Sequence, residues 1–175
     1  NLEKNRLKIH TAADSAIIQQ MVKRKMSNPS LKVMLSLGGW GGCKTCSDVF
    51  NTTTGRKEFA LSVKEISNYF KTDGLDLDWE YPAIKGVPEH TFRKEDRANF
   101  TALVKELREV NGKNFELSFA AGGFTQYINE SIDWKQVIKC LMTWCMATVP
   151  VAGIIRRYTL LHCKLSQQTT RYSYS

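Results

Sequence analysis

Hydrophobic and polar positions between residues 10 and 121 follow two different periods, which predicts three helices and three strands. Three segments carry apolar side chains at helical spacing, and two are short, mostly apolar segments. Of these two, residues 31–37 are apolar enough for a buried strand of a parallel sheet that is covered on both faces. In one further segment, apolar and acidic side chains alternate strictly. The predicted helices are residues 10–26, 56–71 and 96–110, and the predicted strands are residues 31–37, 73–82 and 115–121.

The predicted strands alternate with the predicted helices along the chain. This order indicates an α/β fold with a parallel sheet and right-handed crossovers. An open doubly wound sheet and a (β/α)8 barrel both fit the order, and the hydrophobic pattern leaves both open.

The strand at residues 73–82 has an acidic face and an apolar face. The acidic side chains are Asp76, Asp78 and Glu80, and the apolar ones are Leu75, Leu77 and Trp79. Successive acids on one face lie about 6–7 Å apart, and the apolar face must be buried behind them. Burying like charges together is unfavourable and shifts their pKa, so this face is a candidate for catalysis. Pro82 ends the strand and leaves Glu80 at its carboxyl end.

A glycine-rich loop follows the strand at residues 31–37. Its sequence, Gly38-Gly39-Trp40-Gly41-Gly42, provides bare backbone that a ligand can approach closely. Core packing is the commoner fate of a tryptophan. Four flanking glycines leave Trp40 little to pack against, however, so we expect it to offer a stacking surface.

Residues 73–82 read D-G-L-D-L-D-W-E-Y-P and resemble the DxxDxDxE motif of glycoside hydrolase family 18 in its chitinase form. Ser36, Gly38 and Gly39 resemble the SxGG motif, which in that family lies on the third barrel strand, just before the catalytic fourth. The resemblance covers residues 2–138. It implies an incomplete (β/α)8 TIM barrel, comprising about strands three to five with their helices.

The resemblance also implies a reaction, the hydrolysis of β-1,4 bonds between N-acetylglucosamine units with retention of configuration. In this family the substrate's 2-acetamido group acts as the nucleophile. The implied catalytic residues are Glu80 as acid and base, Asp78 as partner of the acetamido N–H, and Asp76, which shares a proton with Asp78. Supporting roles are implied for Asp73 and Ser36, and substrate contacts for Gly39, Trp40, Gly41 and Tyr81.

Other functions fit parts of the pattern. A chitin-binding, lectin-like relative would lack the acid that Glu80 supplies. An endo-N-acetylglucosaminidase shares the motif, although residues 79–82 look more like a chitinase. The alternative of another class is an acidic metal-binding module, but a calcium loop has a glycine turn and polar spacers where leucine and tryptophan stand here. The chitinase interpretation expects chitin or N-acetylglucosamine oligosaccharides as partner, with no cofactor and no metal.

The 175 residues are enough for one domain, and the net charge of +8 would suit a nucleic-acid-binding protein. Six Lys and Arg but no Asp or Glu follow Asp133, however, so the rest of the chain holds 19 basic and 17 acidic residues. We therefore expect no nucleic-acid partner. No apolar run is long enough for a membrane span, and the first residues do not have the pattern of a signal peptide. The start, Asn1-Leu2-Glu3, looks like a cut end, and the full-length parent is expected to be secreted.

Cys43 and Cys46 form a C-x-x-C pair among five cysteines. A structural zinc site uses four ligands, usually from two such pairs, and no second pair exists. The remaining interpretations are a local disulfide bond and two free thiols.

Residues 139–175 are predicted to be an aberrant tail that follows the partial catalytic domain at residues 1–138. The family has a sixth strand ending in M-x-Y-D, where this chain has Met142-Thr143-Trp144-Cys145. A shift of reading frame near Lys139 explains the difference. Codons for residues 139–147, read two nucleotides later, can spell Met-Ser-Tyr-Asp-Leu-Val-Tyr-Gly. A real divergent terminus is the alternative.

An open barrel exposes strand edges, so we expect the fragment to fold weakly and to have little activity.

Overall fold

The computed structural model describes residues 2–141 and the backbone of residues 146–148. The helices are α1 (Ala12–Lys23), α2 (Cys46–Phe50), α3 (Thr53–Phe70), α4 (Asp96–Asn111) and α5 (Trp134–Cys140). The strands are β1 (Leu2–Glu3), β2 (Arg6–Leu7), β3 (Met34–Gly38), β4 (Gly74–Asp78), β5 (Glu116–Ala121) and β6 (Met146–Thr148). A 3₁₀ turn (Arg24–Met26) continues α1, and a π turn (Tyr127–Ser131) precedes α5.

Strands β3 to β6 form a parallel sheet in chain order. Helix α3 leads from β3 to β4, helix α4 leads from β4 to β5, and the two helices contact each other. In the register of the sheet, Asp76 of β4 lies between Ser36 of β3 and Ser118 of β5. Strands β1 and β2 form a separate antiparallel hairpin, and β2 packs against α3.

The hydrophobic core lies between this sheet and helices α3 and α4, and the apolar face of β4 points into it. Leu75, Leu77 and Trp79 are each at most 5% exposed. The Trp79 ring contacts Phe50 of α2 and Phe100 of α4, with ring centroids 5.5 and 6.2 Å apart. The acidic side chains of β4 therefore lie on the face that is turned away from this core.

The predicted elements are present, but several of their ends were wrong. Helix α1 begins two residues later than predicted, because the Thr11 hydroxyl accepts a hydrogen bond from the Asp14 N–H (3.0 Å) and caps the helix. Helix α3 begins three residues earlier, where Thr52 caps it through the Gly55 N–H (2.9 Å). The strand predicted at residues 31–37 is β3 (Met34–Gly38). Strand β4 ends at Asp78, so Glu80 lies just beyond the strand.

Strand β6 lies in the segment that was predicted to be an aberrant tail. Its backbone pairs in parallel with β5, and Ala147 lies opposite Ala120. Residues 142–145, where the M-x-Y-D motif is missing, and residues 149–175 lie outside the described residues, so the boundary at residue 138 and the frame shift stay predictions. Within residues 2–141, no helix is both long and apolar enough to cross a membrane.

The end of β3 passes so close to β4 that position 38 has no room for a side chain. A β-carbon on Gly38 would lie 2.8 Å from the Asp78 carbonyl carbon and nearer still to its oxygen, and φ is +108°. We expect Gly38→Ala to lower the free energy of unfolding by about 3 kcal/mol, measured by urea denaturation. Gly41→Ala is the control, since φ is +82° but no atom lies within 4 Å, and it should cost about 1 kcal/mol. If both variants lost the same free energy of unfolding, the close contact between position 38 and Asp78 would have no role in the loss.

Candidate active site

The candidate site lies at the carboxyl edge of the sheet, where the loops after β3, β4 and β5 meet. The Gly38–Gly42 loop extends from β3, and Glu80 and Tyr81 follow β4. The Gly39 N–H donates to the Asp78 carbonyl (2.9 Å) and joins the first two of these loops. The structure therefore brings together the predicted catalytic acids and the predicted glycine-rich loop.

Asp76 is held in place by hydroxyl groups from both neighbouring strands. The Ser36 hydroxyl donates to Oδ2 (3.0 Å) and the Ser118 hydroxyl donates to Oδ1 (2.6 Å). Both carboxylate oxygens are thereby fixed, and the charge of Asp76 lies next to Asp78 along the acidic face. Ser36 thus contacts Asp76, and its supporting role in the reaction stays a prediction.

Asp78 lies in the middle of the acidic face, and its Oδ1 is buried without a hydrogen-bond partner. Burial raises the pKa of this carboxyl above its ordinary value of 3.8, and the negative charge of Asp76 raises it further. An added proton on Asp78 would relieve the repulsion between the two carboxylates. The proton sharing that the resemblance implies for Asp76 and Asp78 stays a prediction.

Glu80 is half-buried beyond the end of β4, and its Oε2 is also buried without a partner. Burial raises its pKa above the ordinary 4.5, and the charge of Asp78 adds to the rise. The nearby Tyr81 hydroxyl offsets part of this effect by stabilising the carboxylate. A carboxyl with a raised pKa keeps its proton at higher pH, as a general acid must.

An aromatic cluster adjoins the two acids. The Tyr81 ring packs edge-on against Phe124 and Tyr127, with centroid distances of 5.3 and 5.4 Å. Burial raises the pKa of Tyr81, and the charges of Glu80 and Asp78 raise it further. Burial raises the pKa of Tyr127 as well, and the charge of Asp78 adds to this rise. Tyr81 is therefore a neutral hydroxyl beside Glu80, whereas Phe124 leaves part of its ring exposed.

The glycine-rich loop presents its tryptophan to solvent. Trp40 is 67% exposed, which fits a stacking surface better than a core residue. Just after this loop, Cys43 and Cys46 form a disulfide bond. Of the two interpretations of the C-x-x-C pair, the structure therefore has the local disulfide bond and not two free thiols. The next residue, Ser47, is buried and donates to Asp96 Oδ2 at the start of α4 (2.8 Å).

Asp73, for which the motif implies a supporting role, lies at the opposite end of β4. The five steps from Asp73 to Asp78 alone span about 17 Å at the rise of a strand, and Glu80 lies beyond that end. Both carboxylate oxygens of Asp73 contact Lys25 Nζ (2.7 and 2.8 Å), and Oδ2 accepts from the Val33 N–H (2.7 Å). Asp73 therefore joins the chain before β3 to the start of β4, and a supporting role at the site stays a prediction.

We expect Asp73→Ala to lower the free energy of unfolding by about 2 kcal/mol, because it removes charge-assisted hydrogen bonds to a part-buried lysine and a backbone N–H. Urea denaturation measures this loss. Glu109→Ala, at an exposed position of α4, is the control and should stay within about 0.5 kcal/mol of the wild type. An unchanged unfolding midpoint for Asp73→Ala would contradict the bridging role.

Sequence reasoning missed several residues that shape the site. Ser118, Tyr127 and Ser131 all come from β5 and the turn after it, and all three are buried. For Ser118, the signal in the sequence was a polar side chain within the mostly apolar segment 115–121. Its partner could not be known without the register between β4 and β5.

Within the described residues 2–141, no three His, Cys, Asp or Glu side chains converge as metal ligands would. Asp76 and Asp78 instead follow one another along β4, and Glu80 lies beyond its end. Two of the six oxygens of Asp76, Asp78 and Glu80 bind serine hydroxyls, and another two are buried without partners.

Four parallel strands joined by helices, with acidic residues at their carboxyl edge, define part of a (β/α)8 barrel, which confirms the predicted fold class. The chain belongs to the glycosyl hydrolases family 18, because the model of that family matches residues 1–173. This confirms the resemblance that the acidic strand and the glycine loop carry.

Similar proteins include Chitinase A1 of Niallia circulans, which is 35% identical over 136 residues. That match covers 69% of this chain and 20% of the relative. Among solved structures, the chitinase domain of the spore coat protein CotE from Clostridium difficile has a TM-score of 0.70 at 36% identity. It covers 78% of this chain and 38% of that one.

A second solved structure is catalytic domain 2 of the Ostrinia furnacalis Group II chitinase, a mutant in complex with penta-N-acetylchitooctaose, (NAG)5. Its TM-score is 0.73 at 26% identity, and the match covers 84% of this chain and 40% of that one. The chain thus spans less than half the length of each of these three relatives.

Proposed function

We propose that this segment carries the reacting acids of a chitinase-type glycosidase that hydrolyses β-1,4-linked N-acetylglucosamine polymers. One observation supports this above the others. Asp78 Oδ1 and Glu80 Oε2 are both buried and lack hydrogen-bond partners, and both carboxyls have a raised pKa. A bound sugar that offers an acetamido N–H and a glycosidic oxygen would supply the two missing partners.

The proposed reaction is substrate-assisted and retains the anomeric configuration. Protonated Glu80 donates its proton to the glycosidic oxygen, and the substrate's acetamido oxygen attacks the anomeric carbon as the bond to the leaving sugar breaks. Asp78 accepts a hydrogen bond from the acetamido N–H and balances the positive charge of the oxazolinium ion. Glu80, now a carboxylate, takes a proton from the water that opens this ion.

The proposed roles of the other residues follow from their contacts. Asp76, fixed by Ser36 and Ser118, shares a proton with Asp78 as the charge changes. Exposed Trp40 stacks on a sugar ring, and bare backbone at Gly39 and Gly41 allows the chain of sugars to pass close by. Tyr81 contacts the sugar next to Glu80.

The proposed partner is chitin or a shorter N-acetylglucosamine oligosaccharide, in keeping with the (NAG)5 complex of the Ostrinia furnacalis relative. We also propose that the protein acts outside the cell. The Cys43–Cys46 disulfide bond supports this, because such bonds persist in oxidising compartments.

The proposed function is tested in a complete (β/α)8 barrel of family 18 that contains residues 1–138 of this chain. This protein is called the complete barrel below. Two fluorogenic substrates are compared, a chitobioside and the matched cellobioside, which has a hydroxyl in place of the acetamido group. We expect cleavage of the chitobioside only, with the β-anomer as the first product by proton NMR. Equal cleavage of both substrates, or inversion, would count against substrate assistance. Binding without cleavage would favour a lectin, and activity lost with a chelator would favour the metal-binding alternative.

A further inference from the structure

The loop after β4 folds back on the peptide group that carries Glu80. The chain turns at Pro82, whose carbonyl accepts from the Ile84 N–H (2.9 Å), and Ile84 is buried at 1% exposure. Two residues later the backbone of Gly86 lies directly against Glu80. Buried Ile84 and the contact of Gly86 with Glu80 therefore hold the loop in place after the turn.

Gly86 contacts the Glu80–Tyr81 peptide so closely that a side chain is excluded. A β-carbon there would lie 2.7 Å from the Glu80 carbonyl carbon and 2.8 Å from the Tyr81 nitrogen, and nearer still to the Glu80 oxygen. The φ angle of Gly86 lies outside the left-handed region. Backbone conformation alone would permit other residues at this position, so the space next to Glu80 is what requires glycine.

Ser131 also contacts this loop. This serine is fully buried in the π turn after β5, and its hydroxyl donates to the Pro82 carbonyl (2.6 Å). The same turn places the Tyr127 ring against Tyr81, at 5.4 Å between centroids. A π turn that contacts the Glu80 loop at two points agrees with the frequent use of such turns near functional sites.

We propose that Gly86 and Ser131 are positioning residues, which together hold the Glu80 side chain at its half-buried depth beside Asp78. They touch no reacting atom themselves. Gly86 limits how far the Glu80 peptide can move towards its own loop, and Ser131 ties the following turn to β5. The proposal assumes the acid–base role of Glu80 from the proposed function, but the position of Glu80 can be measured without any substrate.

The first test is a carbon-13 NMR titration of the glutamate carboxyls in the 175-residue chain, with Glu80 assigned by its absence in Glu80→Gln. The groups facing Glu80 are Asp78 and Tyr81, with Asp76 and Tyr127 behind them. We expect Gly86→Ala and Ser131→Ala each to move the Glu80 midpoint down towards 4.5, because a displaced loop exposes the carboxyl.

Each variant has a matched control away from the site. Gly74→Ala also creates a backbone clash, with a β-carbon 2.9 Å from the Glu116 carbonyl carbon, but at the amino end of β4. Ser62→Ala removes a buried hydroxyl that binds the Leu7 N–H (2.8 Å) and the Phe59 carbonyl (2.7 Å). Both controls should destabilise the protein and leave the Glu80 midpoint unchanged. If Gly86→Ala fails to fold, Ser131→Ala decides, and an unchanged Glu80 midpoint in a folded Ser131→Ala would overturn the proposal.

The second test measures turnover of the fluorogenic chitobioside by the complete barrel. Gly86→Ala should lower kcat by about 10- to 100-fold with KM within about threefold, and the alkaline limb of the pH profile should move to lower pH. A uniform fall in activity with no change in the pH profile would indicate only lost stability and contradict positioning. If the wild type cleaves nothing while the NMR midpoints shift as expected, the proposed function fails and the positioning of Glu80 stands.

Discussion

Glu80→Gln is expected to lower kcat of the complete barrel on the chitobioside by about 10²–10⁴-fold, with little change in the Kd for an N-acetylglucosamine pentamer. Glutamine fills the same volume and keeps a hydrogen-bonding oxygen, so the sugar should still bind. It has no proton to give to the leaving oxygen and cannot activate water afterwards. Steady-state kinetics and calorimetry measure the two quantities separately.

The matched control is Glu89→Gln, which changes an exposed glutamate in the same loop and should leave turnover unchanged. A second readout is the pH profile of the wild type. Because burial and the charge of Asp78 raise the Glu80 pKa, the alkaline limb of kcat/KM should lie above pH 4.5. Turnover within tenfold of the wild type for Glu80→Gln would remove Glu80 from the mechanism and the proposed function with it.

The acidic face of β4 could be predicted because strand geometry converts a period of two directly into two faces. Leu75 and Leu77 enter the core, and this leaves Asp76 and Asp78 on the opposite side. The position of the Gly38–Gly42 loop near Glu80 was predictable for a similar reason, since parallel strands end at one edge of a sheet. In both cases local pattern and general geometry are sufficient.

The contacts between strands could not be predicted from local pattern. Ser118 lies beside Asp76 only because β4 and β5 pair in one particular register, and a shift of one residue would turn this serine to the other face. Ser131 likewise reaches Pro82 across 49 residues of sequence. A buried serine inside an apolar segment signals a polar partner, but the sequence does not reveal which one.

The short helices were missed because tertiary contacts, not periodicity, hold them. Helix α2 has five residues, of which Cys46, Ser47, Val49 and Phe50 are buried, so it shows no polar face. The disulfide bond ties the first residue of α2 to Cys43, and the contact between Ser47 and Asp96 fixes the helix against α4. Asp73 illustrates a different limit of prediction from sequence. The motif groups it with the catalytic acids, whereas in the structure it lies at the other end of the strand.

Asp78→Asn is expected to lower kcat/KM of the complete barrel on the chitobioside by on the order of 10²-fold or more. Asparagine can still accept a hydrogen bond from the acetamido N–H, but it carries no charge to balance the oxazolinium ion. The variant also removes the charge that raises the Glu80 pKa, so the alkaline limb of the pH profile should move to lower pH. An unchanged profile would contradict the coupling between the two carboxyls.

The same substitution should stabilise the fold of the 175-residue chain at neutral pH. A carboxyl whose pKa is higher in the folded than in the unfolded state stabilises the protein below its unfolded pKa, and this contribution is lost as the pH rises through the folded pKa. For Asp78 the unfolded value is 3.8, so Asp78→Asn should raise the urea midpoint at pH 7 and lose that advantage below about pH 3.8. Glu109→Gln, at an exposed carboxyl, should show neither effect. Lower activity with higher stability at pH 7 would identify Asp78 as a group kept for catalysis at the expense of the fold, whereas a loss of both would indicate a structural role.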